Sequence, residues 1–300
     1  MTVLVTVAEL AARGLPPPGV RLLDVRWRLG GPPGPEEYRA GHLPGAVYVD
    51  LDTELSGPAS PEAGRHPLPG IADVRAAARS WGVREGDAVV AYDDVGGLSA
   101  ARAWWLLRWA GVPDVRILDG GLAAWRDAGL PLRTGDEVVE VGGPDVHAGE
   151  PATADGCGEA DLPDGPDPVG GELSTLTADQ VAAFVADGGL LLDARPAERY
   201  RGSDNPYDPR PGHIPGAVSA PAVDDLGPDR RFRPPSELAE RFAALGAAPG
   251  RPVAVYCGSG VTATHVIAAL ELAGVPGAAL YPGSYSQWAA DPTRPVTTEP

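Results

Sequence analysis

Apolar residues in this chain recur in two rhythms. Short runs, VRLLDV at 20–25, DAVVAY at 87–92, GLLLDA at 189–194 and PVAVYC at 252–257, are bounded by Gly, Pro or Asp. Unbroken apolar runs of this length suit strands buried on both faces, as in a parallel sheet. Between them, ADVRAAARSWG (72–82), LSAARAWWLLRWAG (98–111), PSELAERFAALG (235–246) and VTATHVIAALELAG (261–274) space apolar residues three and four apart and stop at glycine, the pattern of helices. Strand and helix in alternation predict α/β domains with mostly parallel sheets flanked by helices.

The second half of the chain repeats the first. LLDVR at 22–26 recurs as LLDAR at 191–195, and GHLPGA at 41–46 as GHIPGA at 212–217. AVVAYD ending at Asp93 aligns with PVAVYC ending at Cys257, and DGGLAAW ending at Trp125 with PGSYSQW ending at Trp288. Four matches in one order, with a slowly drifting offset, indicate a duplication, and a length of 300 residues fits two domains. Between the copies the pattern dissolves into a Gly-, Pro-, Asp- and Ala-rich stretch with little to pack. This predicts a linker over residues 141–172, a first domain over 1–140 and a second over 173–300.

Charge narrows the partners. Acidic residues outnumber basic ones 41 to 24, the formal net charge is −17, and lysine is absent. Such a field repels polyanions, so nucleic acid and anionic membranes are poor partners, although a local arginine cluster can hold a small anion. No apolar run approaches the roughly 18 residues of a membrane span. The opening MTVLVTVAEL lacks the basic and long apolar regions of an export signal, so a cytoplasmic protein is expected. The two cysteines, Cys157 in the linker and Cys257, read as free thiols; acidic neighbours in ADGCGEAD disfavour a thiolate at Cys157 and leave it idle.

Cys257 stands between the strand-like PVAVY and a helical run, in the loop CGSGVT. Amides freed by Gly258 and Gly260 can point at the sulfur or at a bound anion, and the helix N-terminus adds partial positive charge, which favours a thiolate. On its own the residue reads equally as a small buried hydrophobe.

The loop, the paired GHLPGA and GHIPGA segments, both LLD strands, the Trp-containing C-terminal segments and the tandem order together resemble the rhodanese superfamily over nearly the whole chain. CGSGVTA resembles its 3-mercaptopyruvate sulfurtransferase branch. The resemblance implies two tandem rhodanese-like domains, with Cys257 as sulfur carrier. It also implies a first domain without a nucleophile, because Asp93 occupies the Cys position.

From Gly45 to Asp93 the first half is seven residues longer than the matching stretch from Gly216 to Cys257. In the family a matching segment supplies an Asp and a His to a Ser two residues after the nucleophile. The resemblance therefore implies a relay of Asp52, His66 and Ser259, where the residues alone would read as a turn Asp and a surface His. It likewise implies Arg199 and Arg210 as the pair holding a 2-oxo acid, and a loop of Gly258, Gly260, Val261 and Thr262 around the reacting sulfur. Arg195 reads instead as a structural partner near the strand end.

The activity so implied moves sulfur from 3-mercaptopyruvate through a Cys257 persulfide to cyanide, a small thiol or a thioredoxin-like protein, with pyruvate released and no metal or organic cofactor. Thiosulfate is the alternative donor, and the absence of a cation inside CGSGVT counts against that dianion. A related cysteine phosphatase needs Arg six positions after Cys, where Ala263 stands here. A non-catalytic sulfur-binding role is opposed by the intact Cys257 and Ser259.

Overall fold

The computed structural model describes residues 2–137, 173–203 and 207–299, so the expected linker and its Cys157 lie outside the described residues. The first sheet holds β1 (Leu4–Val5), β2 (Val20–Asp24), β3 (Ala46–Tyr48), β4 (Ala88–Tyr92) and β5 (Val115–Leu118), ordered β1-β5-β4-β2-β3. Around it lie α1 (Val7–Ala11), α2 (Gly34–Ala40), α3 (Ile71–Ser80), α4 (Ala100–Trp109) and α5 (Gly121–Asp127). The second sheet holds β6 (Leu190–Asp193), β7 (Val218–Ser219), β8 (Val253–Tyr256) and β9 (Ala279–Leu280), ordered β7-β6-β8-β9. Its helices are α6 (Ala178–Ala186), α7 (Ala197–Tyr200), α8 (Pro235–Ala244), α9 (Thr262–Leu272) and α10 (Ser284–Ala290). All strand pairs among them are parallel.

The duplication reaches the side chains. Both α1 and α6 open on capping boxes, Thr6 with Glu9 and Thr177 with Gln180. Where β1 pairs with β5, a single parallel bridge from Thr175 to Leu280 marks the equivalent place in the second domain. The LLD-x-R strands each end in a buried ion pair, Asp24 with Arg26 and Asp193 with Arg195. Each arginine also donates to the first glycine of its Gly-His turn, Arg26 to the Gly41 carbonyl at 3.0 Å and Arg195 to the Gly212 carbonyl at 2.8 Å. His42 and His213 stack on Tyr38 and Tyr200, with centroids 4.0 and 3.6 Å apart. The GHLPGA and GHIPGA motifs are therefore latches between strand end and turn, and Arg195 is structural as expected.

The two domains share a core. One hydrophobic cluster runs through both, taking in Trp104, Trp105 and Leu107 of α4 and Val266, Ile267 and Leu270 of α9. Helices α4 and α9 pack together, and the pair Arg108–Glu271, at 2.8 Å, ties one to the other. Each of these helices follows the loop in which Asp93 or Cys257 sits, so their packing sets the two loops at the domain interface. Among the described residues no helix is long and apolar enough to cross a membrane.

Candidate active site

Strand β8 delivers Cys257, 2% exposed, to the turn that leads into α9. The Cys257 N–H donates to Ser284 Oγ at 3.1 Å, and the Gly260 N–H donates to Cys257 Sγ at 3.1 Å. Gly260 has φ of +81°, and a Cβ there would stand 2.5 Å from the Pro282 carbonyl oxygen, so only glycine lets the amide turn toward sulfur. Val261 packs into the shared core, and Thr262 opens α9.

The longer segment of the first domain reaches this loop. His66 Nδ1 lies 2.7 Å from Ser259 Oγ, and His66 Nε2 lies 3.0 Å from Asp52 Oδ1. A carboxylate only accepts, which assigns the ring proton to Nε2 and leaves Nδ1 to accept from the Ser259 hydroxyl. The Trp27 indole N–H also donates to Asp52 Oδ1, at 3.0 Å, and its ring meets His66 edge-on. Burial holds the His66 imidazole below the usual histidine range, the Asp52 hydrogen bond and charge oppose this, and Arg102 and Arg65 push it lower. His66 is therefore neutral at pH 7. A cleft of about 610 Å³ opens onto Trp27, Asp52, Arg65 and His66.

Of the two arginines that the resemblance implied, Arg199 stands against the sulfur loop, whereas the bonds of Arg210 run to the C-terminal segment. Arg199 Nη2 donates to Asp208 Oδ2 at 2.6 Å, and Arg199 stacks over Tyr207. Arg210 instead donates to the carbonyls of Trp288, Ala289, Asp291 and Arg294 at 2.6–3.1 Å, bracing the C-terminal segment. Arg65 takes the place beside Arg199: its Nη1 bonds Asp208, and its Nη2 donates to the Gly258 carbonyl at 3.1 Å. A Cβ on Gly258 would come within 2.9 Å of Arg65 and 3.0 Å of Arg199, so that glycine admits both guanidinium groups. The loop carries no cation of its own, yet two stand against it, which removes its neutrality as an argument against thiosulfate.

The equivalent loop of the first domain is closed on itself. Asp93, wholly buried, accepts from the amides of Val95 and Gly97 on one oxygen and of Ser99 and Ala100 on the other, at 2.8–2.9 Å. Among the described residues no cluster of His, Cys, Asp and Glu could hold a metal ion.

Comparisons with known proteins identify the family. The rhodanese-like domain model matches twice, at residues 7–128 and 177–291. A Pseudomonas aeruginosa protein named as a 3-mercaptopyruvate sulfurtransferase is 45% identical over 98% of both chains. A Mycobacterium tuberculosis protein named for thiosulfate sulfurtransferase activity, SseB, is also 45% identical, over 98% of this chain and 96% of its own. The crystal structure of SseA, a 3-mercaptopyruvate sulfotransferase from Escherichia coli, superposes with a TM-score of 0.74 at 31% identity, covering 95% of this chain and 99% of that one. With two matched domains and full-length relatives at this identity, the chain belongs to the rhodanese family, in its tandem-domain form.

Proposed function

We propose that the protein transfers sulfur from 3-mercaptopyruvate through a persulfide on Cys257. The observation that supports this reading is the contact between His66 of the first domain and Ser259, two residues after the thiol of the second. The Cys257 thiolate attacks the donor sulfur. The carbon–sulfur bond breaks, its electron pair leaves as the enolate of pyruvate, and a Cys257 persulfide remains. The proton lost by the donor thiol travels through Ser259 and His66 to the enolate carbon, giving pyruvate, while Asp52 holds the imidazole in the tautomer that accepts. Arg199 and Arg65 suit the carboxylate and carbonyl of a 2-oxo acid, since planar donors meet planar acceptors. Cyanide, a low-molecular-weight thiol or a thioredoxin-like protein then takes the sulfur. Chemistry through a free thiol fits a reducing compartment such as the cytoplasm, and the steps as written use no cofactor.

Thiosulfate is the second reading, supported by the two guanidinium groups against Gly258 and by the name of the mycobacterial relative. Steady-state turnover of both donors with cyanide as acceptor separates the two. A kcat/KM higher for 3-mercaptopyruvate is the expected result. A higher value for thiosulfate overturns the first reading in favour of the second.

A further inference from the structure

Arg102, on α4 of the first domain, is wholly buried. Its guanidinium donates only to backbone carbonyls: Leu55, His66 and Pro67 of its own domain, and Gly260 of the second, at 3.1–3.2 Å. The other two arginines buried this deeply, Arg26 and Arg195, each have a carboxylate in contact. Among the described residues Arg102 has none. Carbonyl dipoles satisfy its N–H groups but do not neutralise its charge, and a buried charge without a counter-charge is costly. We propose that Arg102 is a positioning residue that holds the Cys257 sulfur as an anion by fixing a positive charge against the Gly260 carbonyl. The proposal rests on Cys257 as the sulfur carrier.

Three observations converge on it. Gly260 is the residue whose N–H meets Cys257 Sγ at 3.1 Å and whose carbonyl receives Arg102 Nη1 at 3.2 Å, so one glycine joins cation and sulfur. Burial pulls the guanidinium down to about 10, and the single group that pulls it back up is the Cys257 thiolate. The duplication supplies an internal control. In the first turn of α9, His265 reaches the Gly96 carbonyl in the Asp93 loop, at 3.3 Å, as Arg102 reaches Gly260. That loop already contains its anion and four amides to hold it, and His265 has Asp225 beside it at 3.7 Å. Among the described residues, the deeply buried arginine without a carboxylate partner is the one that faces the sulfur loop.

The remaining charged groups facing Cys257 approach from elsewhere: Arg65 and Arg199 with Asp208 at Gly258, and His66 with Asp52 through Ser259. The test leaves them all in place. In full-length protein carrying Cys157→Ser, the rate of alkylation of Cys257 by iodoacetamide is followed against pH for Arg102, Arg102→Lys and Arg102→Met. Removal of the positive charge behind Gly260 is expected to move the Arg102→Met profile to higher pH. Arg102→Lys should keep it within about half a unit of the parent. A purely structural arginine would lower the melting temperature of both variants and leave the profile where it was, which overturns the proposal. If Arg102→Met does not fold, Cys257→Ser in the parent chain carries the test. Loss of the anion strands Arg102, so the drop in melting temperature should be larger at the pH where alkylation of the parent has reached its plateau than at the pH where it has ceased; equal drops at those two values overturn the proposal. Alkylation needs no sulfur donor, so a failure of the functional reading would show separately, as absence of persulfide with either donor.

Discussion

The loops after β4 and β8 descend from one loop, and they hold their anions differently. In the first, Asp93 draws four amides onto its two oxygens and the cradle is full. In the second, a single amide meets Cys257 Sγ, so the loop can accept a second sulfur. A carboxylate brings its own charge and geometry and finishes the structure. A thiol leaves the loop unfinished, and the side chains that reach it, Arg65 at Gly258 and His66 at Ser259, come from the domain without a nucleophile. Loss of the nucleophile in one copy and dependence of the other copy on it are two sides of one division of labour.

The comparison breaks most completely at the sulfur itself. Cys257→Ser is expected to abolish transfer from either donor, whereas Cys157→Ser keeps most of it. Mass spectrometry after donor treatment should find one added sulfur on the Cys257 peptide, and finding it on Cys157 alone would reverse the assignment.

Next in size is the contribution lent across the interface. His66→Ala should lower kcat with 3-mercaptopyruvate by about 10² to 10⁴-fold, and lower it less with thiosulfate, which leaves as sulfite and needs less proton traffic. Equal losses with both donors, or none, would take His66 out of the chemistry. The pH profile sharpens this. Because burial holds His66 below its unfolded value of 6.5, the neutral imidazole survives as pH falls through that value, and turnover should decline only below it. The same sign applies to folding: the stability linked to His66 is present above 6.5 and is lost as pH falls through the lower folded value.

The filled cradle should show itself in stability. Asp93→Ala orphans four buried amides, and about 3–5 kcal/mol should be lost in urea unfolding. Cys257→Ser disturbs one amide rather than four and should cost less than Asp93→Ala. Similar losses would mean that the loops are alike after all.

The smallest expected effect distinguishes two arginines. Arg65→Met should raise KM for 3-mercaptopyruvate about tenfold, the worth of a charged hydrogen bond. Arg210→Met should leave KM near that of the parent and lower the melting temperature by a few degrees, since it frees carbonyls at the C-terminus. The reverse outcome would restore Arg210 to the substrate.

Much of this was legible in the residues. Runs such as VRLLDV and PVAVYC are β2 and β8, and the helical patterns at 72–82, 98–111, 235–246 and 261–274 became α3, α4, α8 and α9. Strands of two or three residues such as β1, β3 and β7 carry too short a pattern to register. The relay could not be read from spacing, because His66 and Ser259 are 193 residues apart and meet only through the fold; resemblance supplied it. Arg65 carries no motif of its own, since the resemblance points to the arginines between LLDAR and GHIPGA, although it directly precedes His66 inside the longer segment. Arg102 left a visible signal: a charged residue within AARAWWLLRW, on a helix buried continuously from Ala100 to Leu107. Position alone does not say what such a charge is for until the Gly260 carbonyl is found against it.

The hydrophobic cluster that threads α4 and α9 joins the fates of the two halves. A domain relieved of catalysis would ordinarily be free to drift, accumulating substitutions until it was deleted. Here a cavity opened at Trp104 or Trp105 loosens the wall on which Cys257 is mounted, so harm to the silent copy is felt as lost turnover in the active one. The two domains therefore form a single mutational target, in which a substitution at the core of one is felt at the thiol of the other.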